Sequence, residues 1–223
     1  MAKDRRFFSS SLQIFEIIGP IPIPAFPARF DIKIIVDEIH ADIVFKKFTA
    51  LASISEDIAN ITLTLNSAGK TFNIAGLNCG YAICHNKKMK NAFDTIVKKR
   101  EVNAINLFGF VAHEAAYTKG HKWLEELKAY IMTNITFTHN YLSAHKSPIS
   151  FIKPEATYLL WLSFKNINNS HKEVKEKLLN NAKVALNDGT LFGNEGNGYF
   201  RLNAALPKEQ LKIALDKIVT NIH

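Results

Sequence analysis

The run Ile32-Lys-Ile-Ile-Val36, ending on Asp37, does most to limit what this chain can fold into. β-Branched residues pack well on a pleated surface, and a short, nearly continuous apolar run suits a strand covered on both faces, as in a parallel sheet. An acid at the C-terminal end of such a strand stands at the sheet edge where α/β proteins bind ligands. Residues 60–66 (Asn-Ile-Thr-Leu-Thr-Leu-Asn) alternate and predict a second strand, with Ser55-Glu-Asp-Ile before them as a short helix or turn. Tyr81-Ala-Ile-Cys84 predicts a third strand. Helical spacing follows from Asn86 to about Arg100, and again from Asn103 to about His145 with a break near Gly120. This alternation predicts α/β layers followed by a long helix.

A second region is expected from Pro148 onward. Ala156–Phe164 predicts a strand, and Ser170 with Glu173 forms a capping box for a helix through Lys183. Val184–Leu186 is a short strand candidate, Asp188-Gly189 a turn, and Gly193, Gly196 and Gly198 a flexible loop. Tyr199–Leu206 predicts a strand. Pro207 opens the last helix, whose apolar face carries Leu211, Ala214, Leu215 and Ile218. The expected divisions are therefore an irregular segment 1–31, a region 32–145 that ends in a long connecting helix, and a region 146–223.

Composition narrows the classes. Of 223 residues, 47% are hydrophobic and 22% charged, which is globular rather than disordered. The net charge of +8 raises the question of nucleic acid or membrane contact. The basic groups at Lys87, Lys88 and Lys90, at Lys98–Arg100, and at Lys172, Lys175 and Lys177 alternate with apolar residues at helical spacing, so they read as solvated helix faces with neither partner. Two cysteines, Cys79 and Cys84, suggest free thiols in a reducing compartment. The apolar stretch from Leu12 to Phe26 superficially resembles a signal peptide. Glu16, Pro20, Pro22 and Pro24 interrupt it, Pro27 follows it, and it is too short to span a bilayer, so a cytoplasmic location is expected.

Taken alone, Lys70 is one lysine among many. Its setting is distinctive: it follows a strand, beside the small residues Ser67, Gly69 and Thr71, with Asp37 ending a neighbouring strand. A lysine and an acid so placed suit a pyridoxal 5'-phosphate (PLP) enzyme, which needs an amine for a Schiff base and a carboxylate to keep the pyridine nitrogen protonated. His113-Glu114 invites a zinc reading, but the second histidine belongs four residues after the first, and Tyr117 stands there, so no metal is expected.

Three segments carry a resemblance. Asp37-Glu-Ile-His40-Ala-Asp42, Ser67-Ala-Gly-Lys70-Thr-Phe-Asn-Ile-Ala-Gly-Leu77, and Leu186-Asn-Asp-Gly-Thr-Leu-Phe-Gly193 through Gly196-Asn-Gly198-Tyr-Phe-Arg201-Leu-Asn203 are similar, in that order, to motifs of cystathionine beta-lyases and related C–S lyases. These belong to the class I/II aminotransferase superfamily, PLP fold type I. The resemblance covers about residues 32–223. It implies a partial PLP-binding α/β large domain followed by an α+β small domain.

The resemblance also implies roles. Lys70 would bind PLP and shuttle the substrate Cα proton. Asp37 would pair with the pyridinium, His40 would lie near the ring's phenolic oxygen, and Ser67 would donate to the cofactor phosphate. Arg201 would hold the substrate α-carboxylate, a task suited to its planar fork. Tyr158 and Trp161 read as core rather than substrate contacts. The implied reaction is β-elimination, with transamination and a non-catalytic binding role as alternatives.

The sequence departs from the family's pattern in places. Its members are roughly twice this length and pair as homodimers. The Asn-Pro-x-Asn-Pro loop expected before Asp37 has no match in residues 19–27, and Ser163 stands where relatives commonly have Asp. A separate polypeptide supplying the missing half is one expectation that follows.

Overall fold

The computed structural model describes residues 32–102 and 106–222, so the expectations for 1–31 lie outside the described residues. The chain forms two compact units. Of the described residues, one holds 32–42 with 47–102 and 106–120, and the other 43–46 with 121–222.

The first unit is built on a three-stranded sheet in the order β1-β2-β3. Strand β1 is Ile34–Asp37, β2 is Thr62–Asn66 and β3 is Tyr81–Cys84. β1 and β2 run parallel, with Ile34 opposite Thr62 and Asp37 opposite Leu65, and the Glu38 amide extends the ladder to the Leu65 carbonyl. β3 returns antiparallel on the other side of β2. The central strand buries Thr62, Leu63 and Thr64 in succession, as a strand covered on both faces should.

Helix α1, Glu56–Ile61, starts where the Ser55 hydroxyl accepts from the Ile58 amide, with Glu56 and Asp57 in its positive first turn. That helix takes in Asn60 and Ile61, which period-two alternation had placed in the strand. Helix α2 is a single turn, Ala68–Thr71, opened by Ser67. Helices α3, Lys87–Lys99, and α4, Leu107–Lys119, complete the unit, each opened by an asparagine whose side chain accepts a backbone amide.

The second unit has a closed core. Its antiparallel sheet runs β4-β6-β5, with β4 Leu159–Ser163, β6 Tyr199–Asn203 and β5 Asn187–Asp188. Leu160, Leu162, Phe200 and Leu202 point to one face and are buried. Helix α5, His121–Ala144, adds Ile131, Ile135 and Leu142 to that core, and α7, Lys208–Asn221, adds Leu211, Leu215 and Ile218. The buried Asn134 side chain donates to the Ala204 and Leu206 carbonyls at 2.8 and 2.9 Å, fixing the chain as it leaves β6. The chain passes from the first unit to the second at Gly120, where the long connecting helix begins. The long helix packs its apolar stripe into the second unit's core, and that decides where it belongs.

The Ser170–Glu173 capping box is present and opens α6, His171–Glu176, which runs on as one wide turn through Lys177–Asn181. Val184–Leu186 is not a strand; the pairing falls three residues later, at Asn187 and Asp188. The expected strands Ala156–Phe164 and Tyr199–Leu206 are shorter at Leu159–Ser163 and Tyr199–Asn203. Cys79 and Cys84 are free thiols. Among the described residues no helix is long and apolar enough to cross a membrane.

Candidate functional site

Parallel pairing sends β1 and β2 out of the same end of their sheet, so the residues that follow them are neighbours. Asp37 is the last residue of β1, and Lys70 follows β2 by four residues, on the single turn α2. One Asp37 carboxylate oxygen accepts the Ile39 amide at 3.0 Å, which turns the chain towards His40. Lys70 is exposed, and none of the ion pairs among the described residues uses it. Its neighbours Ala68, Gly69 and Thr71 are buried, so α2 is anchored while the amine projects outward.

Ser67 is tightly engaged. Its oxygen accepts the Gly69 amide at 3.0 Å, and its only proton goes to the Cys79 carbonyl at 2.6 Å. A donation to a phosphate would require exchanging the second bond. A Cβ on Gly69 would come within 3.1 Å of both Ala75 Cα and the Ser67 hydroxyl, so the turn needs a small residue there.

A polar chain unforeseen from sequence lies beside this turn. Asp42 Oδ2 accepts from Thr71 Oγ1 at 3.0 Å and from the Tyr117 hydroxyl at 3.3 Å, and the Tyr117 and Tyr81 hydroxyls lie 3.4 Å apart. Partial burial, with Tyr81 and Asp42 beside it, pushes Tyr117 well above the ordinary phenol range, so it remains a donor. No local signal marks this set, because Asp42 and Thr71 are separated by 29 residues.

Arg201 belongs to the second unit, at the middle of its central strand, with Trp161 and Asn187 opposite it on the two flanking strands. Its guanidinium carbon lies 4.7 Å from the Phe192 ring centre, and Nη2 donates to Asn187 Oδ1 at 3.2 Å. Nε is buried without an acceptor, and an orphaned donor on a planar fork suits a carboxylate that has yet to arrive. Burial pushes the Tyr158 phenol up, and the charge of Arg201 partly offsets it. Trp161 stacks on Tyr199 and meets Phe192 edge-on, so these rings frame the face of the sheet that carries Arg201.

A latch holds the loop around Arg201. Asp188 accepts His171 Nε2, Lys175 Nζ and both the amide and hydroxyl of Thr190, all within 2.9 Å. Burial alone would raise its carboxyl, but these donors outweigh burial and hold it well below the usual carboxylate range. The Gly198 amide donates to His171 Nδ1 at 3.0 Å, so the imidazole carries its proton on Nε2 and gives it to Asp188. Gly189 and Gly196 touch backbone to backbone, and a Cβ on Gly196 would fall 1.9 Å from the Gly189 carbonyl oxygen.

Residues 23–218 match the family model for aminotransferase class I and II. Cystathionine beta-lyase PatB of Bacillus subtilis is 36% identical over 189 residues, covering 84% of this chain and 49% of the relative. Protein MalY of Escherichia coli is 30% identical over 195 residues, covering 87% of this chain and 50% of MalY. Cystalysin of Treponema denticola, whose crystal structure contains pyridoxal 5'-phosphate, superposes with a TM-score of 0.82 at 28% identity, over 87% of this chain and 50% of that one. The chain spans about half the length of the curated relatives it matches.

Proposed function

We propose that this chain, which belongs to the class I and II aminotransferase family, works as part of a PLP-dependent carbon–sulfur β-lyase acting on cystathionine or a cysteine S-conjugate. One observation carries the reading: Asp37 ends one of two parallel, hydrogen-bonded strands, and Lys70 lies on the turn that follows the other from the same end of the sheet. That pair fits the ring end of PLP, with an exposed amine on an anchored turn and a carboxylate at the adjacent strand end.

When bound, PLP supplies a sink for the electron pair left on a substrate's Cα after its proton is removed. Lys70 Nζ would hold the cofactor aldehyde and, once freed by the substrate amine, carry the Cα proton. Asp37 would keep a proton on the ring nitrogen. His40 lies three residues beyond, on the turn that Asp37 starts. Ser67 would offer its hydroxyl to the phosphate in exchange for Cys79. Arg201, with its unpaired Nε, would take the substrate carboxylate in a bidentate grip.

The relatives' names favour elimination, and the family name keeps transamination as the second reading; both begin with the same proton removal. The rest of the phosphate site would come from polypeptide equivalent to the other half of the relatives' length, and the assembled enzyme would pair as a homodimer. The test combines this chain with that half and supplies cystathionine and PLP. Pyruvate release that vanishes with Lys70→Ala is expected. Aminated cofactor without pyruvate would replace elimination by transamination.

A further inference from the structure

The segment after β1 carries Asp37 and His40, and the turn after β2 carries Ser67 and Lys70. They leave the sheet as separate loops, and parallel pairing ends with the Glu38 amide on the Leu65 carbonyl. Beyond that bond, something must hold the two loops in register if an amine and an acid are to address one small molecule. An error of about 1 Å in such a pair is enough to remove most of its effect.

We propose that Asp42 is the positioning residue that fastens these two loops together, acting on Lys70 through the hydroxyl of Thr71. Thr71 is fully buried and is the residue next to Lys70, and its hydroxyl donates to Asp42 Oδ2 at 3.0 Å. The same oxygen takes the Tyr117 hydroxyl from α4, so a third element braces the contact from outside the two loops. Tyr117 is itself held by the Tyr81 hydroxyl and by the edge of Phe72, the residue after Thr71. Asp42 is also the last residue of its unit before the chain passes to the other, at Ile43. Its carboxylate therefore sets where the β1 loop ends as well as where the lysine turn sits. Asp42 touches neither cofactor nor substrate in this assignment; it sets the direction in which the Lys70 amine is presented.

The inference rests on Lys70 being the PLP lysine, and the experiment separates the two. Purified full chain is mixed with PLP, reduced with borohydride, and digested; mass spectrometry then reports modification at Lys70 against the other lysines, which serve as internal controls. Thr71→Val keeps the shape and removes the hydroxyl, whereas Thr71→Ser keeps the hydroxyl and removes a methyl group. Wild type and Thr71→Ser should label Lys70 preferentially and to within about twofold of each other. Thr71→Val and Asp42→Ala should lose about tenfold of that preference, the scale of one hydrogen bond to a charged group. Thermal melting of each variant should stay close to wild type.

Undiminished labelling in Thr71→Val overturns the inference, as does equal loss in Thr71→Ser, which would make packing rather than the hydroxyl responsible. Loss that tracks a fall in melting temperature reduces Asp42 to a structural role and also overturns it. Wild type without preference for Lys70 would remove the reading of Lys70 itself, and the inference with it.

Discussion

The two compact units contrast in how they treat apolar side chains. In the second unit, leucines, isoleucines and phenylalanines from both sheet and helices close into one buried cluster. In the first, the sheet leaves Ile35 and Ile83 exposed, and α4 holds Leu107 and Phe108 at 71% and 75% exposure with Phe110 and Val111 beside them. A helix apolar around most of its circumference normally lies inside a protein. Exposed apolar residues occur in the second unit too, Ile152 and Leu191 among them, but there they surround a large buried cluster, whereas among the described residues the buried apolar side chains of the first unit are Ile58, Leu63 and Ala68; the proposed cofactor lysine sits in the first.

The largest effect that would break this contrast is a core truncation. Leu215→Ala should destabilise the second unit by about 3 kcal/mol or more, read as a fall in denaturant midpoint. A loss below about 1 kcal/mol would mean that its core is not closed.

Next is the latch. Asp188→Asn should cost about 2 kcal/mol near neutral pH, because a charge is lost from a carboxylate with four donors. The folded carboxyl is depressed, so the wild type's extra stability is present above the ordinary Asp range and fades as pH falls through and below about 4. The difference between wild type and variant should therefore shrink in acid. A gap that stays constant would show the ionised form to be irrelevant.

Arg201→Lys keeps charge and loses the fork, so substrate affinity of the assembled enzyme should fall by about 1–3 kcal/mol while PLP binding survives. Equal loss of both would make Arg201 structural. The smallest effect belongs to the uncovered helix. Phe108→Ser should change stability by no more than about 0.5 kcal/mol but reduce self-association in light scattering. A large destabilisation would show that α4 is already covered.

Much of the first unit was legible because each strand announces itself locally. Ile34–Val36 is β-branched, and Tyr81–Cys84 is a short apolar run. Helix starts were equally plain where a capping side chain stands, as at Ser170 with Glu173. Lys70 and Asp37 could be brought to one sheet end because parallel strands make neighbours of residues that end them. What escaped depended on partners far along the chain. Asn187 and Asp188 are turn formers by type, yet pairing with Arg201 and Phe200 makes them a strand. The Asp42–Thr71 bond has no local signature at all. The sequence shows the long connecting helix but not which core its apolar face joins; that face packs with the second unit's cluster.

The central claim is that Lys70 is the residue to which PLP attaches, and the most direct measurement is a titration of PLP into the purified chain, followed by visible absorbance, with Lys70→Ala alongside. Wild type should turn yellow, weakly and saturably, and the variant should show only the faint, unsaturable colour of surface lysines. Equal saturable colour in both would contradict it.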